Sequence, residues 1–149
     1  MIAIETQSWL VARDAAYAIR YAVFVEEQGI PVELEIDAYD PIAEHALAFI
    51  DGQCVGTARV YLDEQDPSKA KIGRMAVLKE FRGQGIGTAL LGEAIRVGMM
   101  QGASVFELHA QQSAVPFYAK LQFKPDGVIF DEVGIAHQCM RLVLSAPAS

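Results

Sequence analysis

The chain has 149 residues, 52 % of them hydrophobic and 21 % charged, which suits one compact domain and argues against disorder. Lys and Arg number 12 against 19 Asp and Glu, a formal net charge of −7, so a broad basic face for nucleic acid is not expected. No apolar run approaches the roughly 18 residues of a membrane-spanning helix, and the N-terminus lacks the basic-then-apolar order of an export signal. A cytoplasmic location is therefore expected, with Cys54 and Cys139 as buried, reduced thiols in strand-like surroundings.

Residues 2–6 alternate apolar with polar and read as an edge strand. Over 10–25, Ala15, Ala18, Ile19, Ala22 and Val23 recur at helical spacing, and Gly29 and Pro31 stop the helix. Residues 31–42 have no clean period and read as a loop. Strands are expected at 45–50 and 54–62, joined by Asp51-Gly52, a two-residue hairpin turn. A polar loop over 63–70 leads into a strand at 71–78. Ile86, Leu90, Leu91, Ala94, Ile95 and Val97 form the inner face of a helix over 86–101, closed at Gly102. A strand follows at 105–110. Ser113 stands where it can cap a short helix ending near residue 121, with Pro116 in the first turn. Strands at 128–132 and 137–144 flank a turn at Gly134. This order gives a mixed α/β (α+β) domain over 1–149, a mostly antiparallel sheet flanked by helices. Its middle is a strand–loop–helix–strand unit whose two strands run parallel.

Charge is unevenly placed. Between Arg20 and Arg59 there is no Lys or Arg, while Glu26, Glu27, Glu33, Glu35, Asp37, Asp40, Glu44 and Asp51 all fall there. Lys69, Lys71, Arg74, Lys79 and Arg82 come later. The front third thus suits a cation and the middle an anion, although solvated loop charge explains any one of these residues. Gly83, Gly85 and Gly87 lie between a strand and a helix, where backbone can approach a ligand closely. The orphan N–H groups and partial positive charge of the helix N-terminus make this an anion site, and Arg82 adds a fixed charge. A P-loop is excluded because no Lys-Ser/Thr pair follows Gly87, and the glycine spacing does not match a dinucleotide fingerprint.

Arg82-Gly83-Gln84-Gly85-Ile86-Gly87 resembles the pyrophosphate-binding signature of GCN5-related N-acetyltransferases (GNAT). Four further stretches resemble the bacterial ElaA/YjcF-type branch: residues 20–31, Gly73-Arg74-Met75-Ala76-Val77, His109-Ala110-Gln111 and Gly134-Ile135-Ala136-His137. The resemblance implies acetyl-CoA as cosubstrate. The backbone at Met75, Ala76 and Val77 would pair with the pantetheine arm. The segment Arg82, Gly83, Gln84, Gly85, Ile86, Gly87 and Thr88 would hold the pyrophosphate, and Gln111 and Phe117 would complete the cofactor site. The strands at 71–78 and 105–111 would splay to admit the acyl group.

Acyl transfer to an amine needs a base for the ammonium, a donor for the oxyanion and an acid for the leaving thiolate. Tyr118 occupies the position at which the family commonly places a catalytic Tyr near the sulfur, though a core aromatic is the plainer reading of the residue alone. For the base, Glu132 and His137 flank the turn at Gly134, His45 is a second candidate, and a water chain is a third. His109 either packs in the sheet or sits near the cofactor. Phe24, Asp37, Asp40 and His45 are placed on the acceptor side, the two aspartates as a site for a substrate ammonium. Glu35-Ile36-Asp37-Ala38-Tyr39-Asp40 is also similar to a pattern of acyl-homoserine-lactone synthases, and pairing of these carboxylates with Arg20 and Arg59 is the structural alternative. Three histidines and two cysteines without ligand spacing predict no metal site. The expected activity is acetyl transfer to a small, cationic amine. The alternatives are an acyl-CoA sensor or a lactone-synthase-like acyl transfer. A homodimer is compatible with the sequence; nucleic-acid and membrane partners are not expected.

Overall fold

The computed structural model describes residues 1–144. Strand β1 (Ile2–Ser8) leads into helix α1 (Trp9–Arg20), and β2 (Glu44–Ile50), β3 (Gln53–Leu62) and β4 (Lys69–Val77) follow. Helix α2 (Ile86–Met100), β5 (Val105–Gln111), α3 (Val115–Lys120), β6 (Lys124–Pro125), β7 (Phe130–Glu132) and β8 (Ile135–Val143) complete the chain. They form one eight-stranded sheet in the order β1-β2-β3-β4-β5-β8-β6, with β7 also paired to β8. Among the described residues only β4 and β5 pair in parallel, as the strand–helix–strand unit requires.

Helix α1 buries Ala12, Ala16 and Ile19, and Val23 continues this stripe, packing on Leu47 and Ala76. Helix α2 covers the opposite face with Ile86, Leu90, Leu91, Ala94 and Val97, against Ala46, Ala48, Val55, Ala58 and Phe106. Gly98 allows that approach, since a Cβ there would lie 2.5 Å from the Phe106 ring. The β2–β3 turn has positive φ at both Asp51 and Gly52, the primed geometry that suits a hairpin.

Several expectations are corrected. The helix expected over 10–25 changes character after Arg20 and continues as a π-helical segment, Tyr21–Glu27. The widened turn keeps Val23 in the core while Phe24 and Gln28 reach the functional cavity. Ser113 is not a cap: it lies in a 3₁₀ turn, and Ala114 precedes α3 with no side-chain cap. The short β6 is an added strand, and Cys54 and Cys139 are unpaired and only half buried.

One irregularity shapes the site. β4 carries a bulge against β3, where Thr57 pairs with Ala76 but Arg59 pairs with Gly73. Arg74 takes φ 48° at this point, a left-handed conformation for a side-chain-bearing residue. Pairing of β4 with β5 stops at Lys71–Glu107, although β4 runs on to Val77 beside β3 and β5 runs on to Gln111 beside β8. The sheet therefore splits between its two parallel strands.

Candidate active site

A cavity of about 510 Å³ lies at the split, lined from β4 by Gly73, Arg74 and Met75 and from β5 by Glu107, His109 and Gln111. Phe24 and Gln28 of the π-helical segment, Tyr118 of α3, and Glu132 and His137 of the β7–β8 hairpin complete that end. Gln28 and Gln111 exchange amide hydrogen bonds at 2.7 and 3.3 Å, tying the end of the π-helical segment to the end of β5. At the other end stand Glu35, Asp37, Tyr39, Arg59 and Tyr61.

Beyond Lys71 the β5-facing backbone groups of β4 have no strand to pair with, so Met75, Ala76 and Val77 present an open edge; Arg82 Nε donates to the Val77 carbonyl at 3.0 Å. The edge leads to the glycine loop. Gly83 and Gly85 have φ of 82° and 83°, and a Cβ on either would meet nothing within 4 Å. Gly85 caps α2, so the N–H groups of the next residues are the orphan donors of a helix N-terminus. Arg82 to Gly85 and Thr88 are exposed, whereas the Ile86 side chain is core. Gly87 faces Phe117, whose ring would lie 3.3 Å from an added Cβ.

Tyr118 is partly buried beside Phe117 and Phe123, its hydroxyl directed at Met75 Sδ at 3.9 Å. Burial pushes its phenol up to about 12, so it remains protonated at neutral pH and can donate. His137 is buried, with Nδ1 2.7 Å from the Ile135 carbonyl. A carbonyl only accepts, so Nδ1 carries the proton in the neutral ring and Nε2 offers a lone pair. That nitrogen is 3.7 Å from Glu132 Oε2, while Glu132 Oε1 accepts from His109 Nδ1 at 3.1 Å. Glu132 thus joins both histidines.

The acidic front resolves into a buried ion network. Arg20 pairs with Glu35 and forks onto Asp40 at 2.9 and 3.0 Å. Arg59 reaches Asp37 at 2.6 and 2.8 Å and Asp40 at 2.9 Å, and Arg74 reaches Asp37 at 3.2 Å. Burial would raise the Asp40 carboxyl, but the hydrogen bonds and charge of Arg20, with Arg59, carry it down to about 2. Asp40 and His45 both have 0 % exposure and neither lines the cavity. Their assignment to the acceptor is therefore corrected: Asp40 is neutralised inside the protein, and His45 Nε2 lies 3.0 Å from the Asp40 carbonyl. Asp37 lines the cavity but is also held by Arg59 and Arg74. The alternative, arginine–carboxylate pairing, is what the structure has.

Residues 19–144 match the family model described as "Acetyltransferase (GNAT) domain". The chain belongs to the GNAT family. A Bacillus subtilis relative, itself only provisionally described as an acetyltransferase, is 38 % identical over 128 residues, 84 % of this chain and 85 % of its own. The Bacillus subtilis N-acetyltransferase YjcF is 37 % identical over 108 residues, 72 % of this chain and 74 % of its own. The crystal structure of Escherichia coli ElaA superposes with TM-score 0.84 at 26 % identity, covering 95 % of this chain and 99 % of that one. These likenesses support the ElaA/YjcF-like branch of GNAT and a general acyltransferase activity.

Within this GNAT chain some features escape a linear reading. Arg82 does not stand free beside the glycine loop: its guanidinium forks onto Glu27 at 2.7 Å twice, which holds that carboxyl below its usual range. Glu35 and Arg74 carry no local signal of a role at the site beyond their place in the stretches Glu35–Asp40 and Gly73–Val77. Among the described residues, Glu107, His109 and Cys139 bring donor atoms within 4.8 Å of one another, with Glu107 already held by Lys69 and Arg141.

Proposed function

We propose that the chain transfers an acetyl group from acetyl-CoA to the amine of a small, cationic acceptor, by direct attack on the thioester within this cavity. The observation that carries the reading is the split between β4 and β5. It joins an open strand edge, a glycine-led helix N-terminus and a cavity with acid and base groups. On this reading the pantetheine arm lies along Met75–Val77, and the N–H groups of residues 83–88 hold the pyrophosphate. The acceptor enters from the side of Phe24 and Asp37.

The amine nitrogen attacks the thioester carbon; a C–N bond forms and the C–S bond breaks. His137 Nε2 takes the amine proton, directly or through water, and the Glu132 carboxylate stabilises the resulting imidazolium. Tyr118 donates a hydrogen bond from its phenol to the departing thiolate, and the proton taken by His137 returns to solvent or the sulfur, which restores the protein. A backbone N–H on the open edge of β4 serves the oxyanion. Two unpaired cysteines fit work in the reducing cytoplasm.

The test is thiol release from acetyl-CoA against a panel of small primary amines. Release that depends on both partners supports the proposal. Acetyl-CoA binding with no amine-dependent release across the panel would favour a sensor, and release only with S-adenosylmethionine would favour a synthase.

A further inference from the structure

The cavity is longer than one amine requires. Arg59 stands on β3 and His137 on β8, three strand positions apart in the sheet order, with the unpaired ends of β4 and β5 between them. At the Arg59 end, three guanidinium groups (Arg20, Arg59, Arg74) meet three carboxylates (Glu35, Asp37, Asp40), so the network is balanced. Its hydrogen bonding is not complete. Glu35 is 2 % exposed and Arg59 5 %, both line the cavity, and Glu35 Oε2 and Arg59 Nε are buried without a partner. A buried carboxylate oxygen without a donor and a buried guanidinium N–H without an acceptor are each unfavourable, and a ligand can relieve both.

Charge decides what kind of ligand. A lone ammonium or a lone carboxylate would leave the balanced network with an unmatched buried charge. A group carrying one of each adds no net charge and offers the donor and the acceptor that the two orphan atoms lack. We propose that this end seats the α-ammonium of an amino acid against Glu35 and its α-carboxylate against Arg59 Nε. The acceptor is then a diamino acid, whose side-chain amine extends a few carbons to the Tyr118–His137 end. This rests on acetyl transfer occurring in the cavity. Because neither orphan atom is open to water, the head group engages them with a shift of the loop that carries Glu35, Asp37 and Tyr39.

Two features make this testable. The chain has a single tryptophan, Trp9, and the Arg20 guanidinium that grips Glu35 lies 5.3 Å from its ring centroid. Its fluorescence therefore reports on the network. Gly73 faces open space, since an added Cβ would find only Arg59 Nε, at 4.0 Å. The Cβ of Gly73→Val thus meets no protein atom closer than 4.0 Å and its methyl groups extend into this end beside Arg59, whereas Glu35→Gln weakens the buried pair with Arg20 and can unfold the chain.

The experiment measures thiol release and Trp9 fluorescence with acetyl-CoA and ornithine, lysine, putrescine, cadaverine or norleucine. Ornithine and lysine should have KM values at least about tenfold below those of the diamines, which lack the carboxylate. Norleucine, which lacks the side-chain amine, should change Trp9 fluorescence without thiol release. Gly73→Val should lose the preference for diamino acids while keeping its thermal shift with acetyl-CoA. Diamines used as well as diamino acids, an unaltered preference in Gly73→Val, or bound acetyl-CoA with no response to any diamino acid would overturn the inference and leave acetyl transfer standing. No thermal shift with acetyl-CoA and no release with any amine would overturn both.

Discussion

Replacing Tyr118 with Phe removes one oxygen and keeps the ring against Phe117 and Phe123. The hydroxyl has only a long contact to Met75 Sδ at 3.9 Å, so neutral-pH stability should change by less than about 0.5 kcal/mol. The catalytic effect should be larger. A protonated donor beside a leaving group contributes about 10²- to 10⁴-fold. A thiol, with a pKa near 8.5, leaves readily without full protonation, which places the effect at the low end. We expect kcat to fall about a hundredfold, roughly 2.7 kcal/mol, with acetyl-CoA affinity unchanged within about twofold. Initial rates of thiol release and a binding titration measure the two separately. An unchanged kcat, or equal loss of rate and affinity, would refute the assigned role. A second arm needs no substrate. The phenol is raised to about 12 from its ordinary 10, so the fold favours the neutral form. That contribution is complete below pH 10 and is lost as pH rises through 12; two pH units correspond to about 2.7 kcal/mol. Thermal unfolding of the Phe variant between pH 10 and 12 should therefore fall less steeply than that of the parent.

Asp40→Asn leaves Arg20 and Arg59 short of a buried counter-charge and should destabilise by about 3–5 kcal/mol in urea unfolding; a loss under about 1 kcal/mol would deny the network its structural role. The same carboxyl, held at about 2, contributes stability above its ordinary pKa that is lost as pH falls through 2, an acid limb the variant should lack. His137→Gln should lower kcat/KM about a hundredfold, whereas a loss below about threefold would point to water as the base. Glu27→Gln frees the Arg82 fork for the pyrophosphate and should tighten acetyl-CoA binding by up to about fivefold, most clearly at low salt, because an exposed pair holds only about 0–1 kcal/mol. Weaker binding in that variant would mean the pair is needed to shape the loop.

The features legible in the sequence were local ones. The Asp51-Gly52 turn, the stripe on α2 and the glycine run before it are each written within a few residues, and their conformations follow from those residues alone. Features made by convergence were legible only in part. Asp37 and Asp40 at i, i+3 allow either an open cation site or pairing with Arg20 and Arg59; that the pairing wins, and that Arg74 joins it from β4, is decided only in the fold. The pairing of Arg82 with Glu27 spans 55 positions and leaves no local pattern. The splay of β4 from β5 follows from the family resemblance, but the bulge beside it, where Arg74 takes positive φ without being Gly, is announced by nothing in the composition. Glu35 could be noticed as part of a motif, but its unpartnered oxygen could not.

The most direct measurement is thermal unfolding with and without acetyl-CoA, in the parent and in Gly85→Asn. Asn tolerates the positive φ of this position better than other side chains and places atoms where the pyrophosphate would lie. At a hundred times Kd the ligand adds about 2.7 kcal/mol, a shift of roughly 5–10 °C for a chain of this size. The parent should show that shift and the variant little of it. No shift with millimolar acetyl-CoA, or a full shift in Gly85→Asn, would contradict the placing of acetyl-CoA at the glycine loop.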